Sequence, residues 1–182
     1  NEKMHRPLAV TLARPQLRSL PNLQGLYMVL RATGLVRTVQ KGVKRLLKPH
    51  EATVASWETL NLVEQYVYLL RAWLLDADPS VVCSDGTLAP PLLHDHSGLM
   101  ATIPRLRQFS GDGLLAHLQY RPGHLNVALA ELFGLVAIKH EPLRDGQGWA
   151  IKSIKRTPFG QALSALTEAL MPTHHKLFSC PE

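Results

Sequence analysis

One stretch, Val127 to Leu170, limits the folds open to this chain, because its local signals spell a complete helix, hairpin and helix. Ala128 to Phe133 has helical composition and runs into Gly134, a residue that accepts the left-handed backbone with which helices end. Leu135 to His140 then predicts a strand. Arg144-Asp145-Gly146-Gln147-Gly148 carries hairpin turn chemistry, and Trp149 to Lys155 alternates apolar and polar as a half-buried return strand does. Thr157-Pro158 opens a second helix, with Thr157 as the N-cap and Pro158 at the first helical position, where its missing N–H costs nothing.

An earlier stretch repeats this order. Leu23, Leu26, Tyr27 and Leu30 recur at helical spacing and predict a helix that stops at Gly34. Leu35 to Gln40 is a strand candidate, Lys41-Gly42 a tight turn and Val43 to Leu47 the return strand, after which Pro49 starts a helix through about Trp57. Gly34-Leu35-Val36 thus reappears as Gly134-Leu135-Val136, and the five surrounding elements keep the same order. That agreement points to an internal repeat rather than a chance tripeptide. The first hairpin is shorter, since Pro49 lies thirteen positions after Val36 whereas Pro158 lies twenty-two after Val136.

Between the two copies, Leu60, Val63, Val67, Leu70 and Leu74 form an apolar stripe widened by Tyr66 and Trp73. They predict one long helix from Thr59 to Leu75, ended by Asp76-Ala77-Asp78-Pro79, that packs on both units. Residues 80–97 hold Ser84-Asp85-Gly86, Pro90-Pro91 and His94-Asp95-His96 and predict a loop. The expected organisation is a partial first unit over residues 1–58, a linking helix over 59–79, a loop over 80–97 and a second unit over 98–182, with its three helices drawn from Leu99 to Phe109, Gly113 to Leu118 and His124 to Phe133.

Helix, two-stranded wing and helix is the back half of a winged helix-turn-helix domain, so the expected fold is mostly α with small β wings: two winged-helix units joined by a long helix. The Arg156-Thr157-Pro158-Phe159-Gly160 stretch that follows the second wing strand resembles the start of the closing helix in such domains. More narrowly, Leu20 to Leu75 followed by that stretch is similar to the C-terminal region of long bacterial proteins that carry a plasmid-Ri open-reading-frame-three-like domain. Most of those have no known function. The resemblance implies a bacterial, non-enzymatic module and carries over no catalytic residue.

Charge narrows the function classes. The net charge of +6 is unevenly spread: residues 1–48 hold ten Lys and Arg against one acid, residues 49–100 one against seven, and residues 101–182 nine against six. A basic first quarter suits a polyanion or an acidic surface. Two cysteines, Cys83 and Cys180, cannot build a disulfide framework, and no apolar run approaches the roughly 18 residues of a membrane span, so a cytoplasmic protein without membrane contact is expected.

Winged helices commonly read DNA with the third helix. In the first unit that helix offers Asn22, Gln24 and Arg31; in the second it offers His124 and Asn126, with Glu131 of the wrong sign. The wings are richer in cations: Arg37, Lys41, Lys44, Arg45 and Lys48 in the first, Lys139, Arg144, Lys152, Lys155 and Arg156 in the second. Alternation puts Lys44 and Lys48 on one side of their strand and sets Lys152 apart from Lys155. Contact with the phosphates of double-stranded DNA is therefore favoured over base reading. The competing class is a protein-interaction or homodimerisation module, for which wing lysines only keep strand edges soluble.

Catalysis finds no foothold. His94, His96, Cys83 and Asp85 have metal-ligand chemistry but match no paired-ligand spacing, and His174-His175 with Cys180 is weaker. Neither a Gly-rich phosphate loop nor a recognised nucleophile setting occurs, so no metal, cofactor or enzymatic activity is expected. Trp57 and Trp73 lie on apolar stripes and are expected in the core, while Trp149, which opens a wing strand, is the aromatic expected to touch a partner.

Overall fold

The computed structural model describes residues 19–76, 123–142 and 149–170, with single helical positions at 100, 103, 113, 114, 116 and 118. Within them the fold is helical with two small antiparallel hairpins, and each hairpin is a separate two-stranded sheet.

Helix α1 spans Pro21–Ala32 and starts with proline at its first position. At its end the Thr33 hydroxyl donates to the Val29 carbonyl at 3.0 Å, and Gly34 takes a φ of 71°, a left-handed conformation that favours glycine. Strands β1 (Val36–Lys41) and β2 (Lys44–Pro49) follow. The turn between them is Gly42-Val43, one residue later than the expected Lys41-Gly42: Gly42 has a φ of 62° and Val43 does not, the pattern of a type II′ turn. Pro49 is consequently the last strand residue, paired with Val36, and the next helix, α2 (Glu51–Glu58), follows His50, whose side chain makes no capping bond to the helix backbone.

The linking helix is shorter than expected. Thr59 and Leu60 close the end of α2 by donating their amide N–H groups to the carbonyls of Ser56 and Trp57, and α3 starts afresh at Leu62, running to Arg71. The cause is a capping box: Asn61 Oδ1 accepts from the amides of Val63 and Glu64, and the Glu64 carboxylate accepts from the Asn61 amide at 2.9 Å. Beyond Arg71 the helix widens into a π turn over Ala72–Asp76. Its far end is the part buried in the core, with Tyr66 packed against the edge of it. Leu70, Trp73 and Leu74 are buried, whereas Val63 and Val67, from the same expected stripe, are exposed.

In the second half, α4 (His124–Leu132) leads through Gly134 (φ 67°) into β3 (Val136–His140), β4 (Ile151–Arg156) and α5 (Pro158–Leu170). Thr157 acts as the N-cap: its hydroxyl donates to the Gly134 and Leu135 carbonyls and accepts from the Gly160 amide at 2.9 Å. The two halves share one further bond. The first residue after each hairpin, His50 or Thr157, donates its amide to the carbonyl of Leu35 or Leu135.

One apolar cluster joins α1, the end of α3 with its π turn, α4 and the second hairpin, and includes no residue of the first hairpin or α2. Trp73 stacks on Phe133 with ring centroids 5.3 Å apart, and Tyr66 meets both Phe133 and Phe159 edge-on. Around them lie Met100, Leu114, Leu118, Val127, Leu129, Leu135, Ile151 and Ile154. Helix α1 joins through Gly25, which sits against Leu125 and Leu129 of α4; a Cβ there would lie 2.9 Å from Leu129. Close approach of two helices at a glycine is what that residue permits and a larger one would prevent. No helix among the described residues is long and apolar enough to cross a membrane.

Candidate nucleic-acid interface

Register decides which of the basic residues can act together. In the first hairpin Arg37 pairs directly with Lys48 and Lys41 with Lys44, with Val39 opposite Leu46 between them. Side chains alternate along a strand, and directly paired residues share a face. Arg37, Lys41, Lys44 and Lys48 therefore share one outer face, and all four are exposed. Four residue steps at about 3.3 Å set the two cation pairs roughly 13 Å apart.

The opposite face carries Thr38, Gln40, Arg45 and Leu47 and looks toward α1. Arg31 of α1 is fixed there. Its guanidinium donates to Thr38 Oγ1 at 2.7 Å and to the Tyr27 hydroxyl at 3.2 Å, and lies 5.9 Å from the Tyr27 ring centre. Arg31 and Arg45 thus belong to a different surface from the four outer cations.

Like charges placed directly opposite one another on a sheet destabilise it, typically by a few tenths of a kcal/mol per pair. No carboxylate relieves them: among the described residues the ion pairs are Arg71 with Asp76 and His140 with Glu131, and neither touches the first hairpin. An anion bound at either pair would remove that repulsion.

The second hairpin differs. Its inner face, Val136, Ile151 and Ile154, is buried in the core, and Ile138 is half-buried. Its outer face pairs Lys139 with Ser153 and Ala137 with Lys155, so no two cations face each other. The pairing slips at Lys139 and His140, which leaves Lys152 as the extra residue of a bulge and breaks the alternation expected of it. Arg156 is exposed opposite Val136. Arg144 lies outside the described residues, as do Cys83, His94, His96, His174, His175 and Cys180.

The helix positions expected to read bases are used otherwise. Asn126 is only 5% exposed, and its Oδ1 accepts from the Trp73 indole N–H at 3.0 Å inside the core, so it cannot reach a groove. Asn22 donates to Glu131 at 3.3 Å, and Glu131 also binds His140 at 2.8 Å, which ties α1 to the second hairpin. Gln24 is half-buried. Trp149, expected to meet a partner, packs instead against the core, edge-on to His124 and tilted to His140. Trp57 is half-buried on α2, a helix with no buried residue, rather than seated in the core with Trp73.

The direct cross-strand pairing of the cations is the feature that residue types alone do not give. It depends on the Gly42-Val43 turn, whose glycine in first place was the available signal. Compared with known proteins, the chain finds no matching family model, no similar curated protein and no similar solved structure.

Proposed function

We propose that this protein is a non-enzymatic module built from two winged-helix-like units, and that its first wing binds the phosphate backbone of double-stranded DNA without reading its sequence. The two-unit reading draws on the shared order of helix, left-handed glycine, hairpin and helix, and on the equivalent bonds to Leu35 and Leu135. The binding reading rests on one observation: Arg37, Lys41, Lys44 and Lys48 form two facing cation pairs on an exposed face.

Duplex DNA carries a phosphate every 3.4 Å or so of axis on each strand, so about 13 Å of wing spans roughly four of them. Four lysine and arginine contacts of this kind supply affinity and orientation. They carry no sequence information. Asn126 is buried and Asn22 is engaged by Glu131, which leaves little on α1 or α4 for base edges.

Titrating a fluorescent duplex with the protein at several salt concentrations tests the proposal. Binding at low salt that weakens about a hundredfold between 50 and 200 mM salt is expected for four phosphate contacts. Absence of binding at low salt contradicts it.

A further inference from the structure

The other face of the first hairpin forms a second surface. A groove of about 720 Å³ runs between it and α1, walled by Leu23, Tyr27 and Arg31, one turn apart on the helix, and by Arg45 and Leu47 from the strand face that looks toward α1. Its leucines are exposed, Leu47 by 54%. The equivalent place in the second half is filled. Counting from Gly34 and Gly134, Tyr27 corresponds to Val127, and Leu47, which pairs with Thr38, corresponds to Ile154, which pairs with Ile138. Val127 is 0% and Ile154 4% exposed. Both lie in the cluster that contains the helical residues Met100, Ile103, Leu114 and Leu118. Val127 and Ile154 are thus buried in a cluster that includes helical side chains of the chain itself, whereas among the described residues their counterparts in the first half line an open groove.

We infer that the groove between α1 and the first hairpin takes an amphipathic, acidic helix of a partner protein, with apolar residues on Leu23 and Leu47 and carboxylates on Arg31 and Arg45. Helix form is argued from the helical residues in the cluster that buries Val127 and Ile154, and helices in grooves are read through anchors at i, i+3, i+4 and i+7. Acidity follows from charge. Among the described residues no carboxylate lines the groove, and Arg31, already held by Thr38 and Tyr27, presents its remaining N–H groups without having to be ordered. This surface does not depend on the outer cations, because Arg45 and Leu47 point away from Lys44 and Lys48.

The test is a fluorescein-labelled helical peptide of about 16 residues, long enough to hold a helix, with leucines at i, i+3, i+4 and i+7 and flanking glutamates. Titrated with the full chain, it is expected to bind, and Leu47→Asp and Arg45→Glu are each expected to weaken it at least about tenfold. Leu166→Asp, at an equally exposed leucine on α5, leaves it unchanged. A version with lysines for glutamates binds at least about tenfold more weakly. The inference is overturned if the peptide fails to bind, if the lysine version binds as well, if Leu47→Asp has no effect, or if duplex DNA displaces the peptide from the same groove.

Discussion

Arg37 and Lys48 face each other directly across β1 and β2, on an outer face where no described carboxylate meets either of them. Replacing one of them separates stability from binding. Arg37→Glu turns a repulsive pair into an attractive one and is expected to raise stability by about 0.2–1 kcal/mol in urea unfolding. The same change removes one phosphate contact and adds a repulsive charge, so duplex affinity falls. Loss of stability together with loss of affinity would mean that Arg37 is a structural residue.

The two hairpins, their left-handed glycines and the Thr157-Pro158 helix start were legible in the sequence, because each rests on chemistry within a few residues: Gly34 and Gly134 at helix ends, a hydroxyl three residues before the amide it caps. What escaped was set by distant partners. Nothing near Asn126 announces that Trp73, fifty-three residues earlier, will take its side-chain oxygen. Nor does the half-apolar start of β4 reveal that Trp149 is held by the core and the His124 and His140 rings. The break between α2 and α3 is an intermediate case. Asn61 and Glu64 spell a capping box in the sequence, but the continuous apolar stripe on either side masks it. As to the interface, the basic residues were visible, and their division between two faces waited on the turn register.

Trp73 and Trp149 differ in what their indole N–H groups bond to, and replacing them is expected to differ in cost. Trp73 donates to Asn126, so Trp73→Phe removes a buried hydrogen bond and is expected to cost about 1–3 kcal/mol on that account. Trp149 Nε1 is buried without a hydrogen-bond partner among the described residues. Trp149→Phe removes no bond, and its cost is expected to stay below that of Trp73→Phe. Chemical denaturation of both variants under the same conditions checks the order.

Gly160 lies where α5 begins against the second hairpin, and a Cβ on it would stand 2.0 Å from the Leu135 carbonyl oxygen. Backbone cannot step aside as a side-chain end can. Gly160→Ala is therefore expected to destabilise by at least about 1–3 kcal/mol and lower the melting temperature, despite alanine's better helix propensity. The matching position after the first hairpin is Thr53, whose hydroxyl lies 2.7 Å from His50 Nδ1, and Thr53→Ala is expected to cost less, because α2 buries nothing there. Thermal melts of the two alanine variants measure the contrast.

The most direct measurement is the slope of log affinity for a duplex against log salt concentration, compared between the native chain and Lys44→Glu/Lys48→Glu. Each phosphate contact contributes about 0.9 to that slope, so losing two should flatten it by about 1.8 as well as weaken binding. A slope that stays the same in the double variant, or a duplex that the native chain does not bind at low salt, would contradict a phosphate-binding role for the first wing.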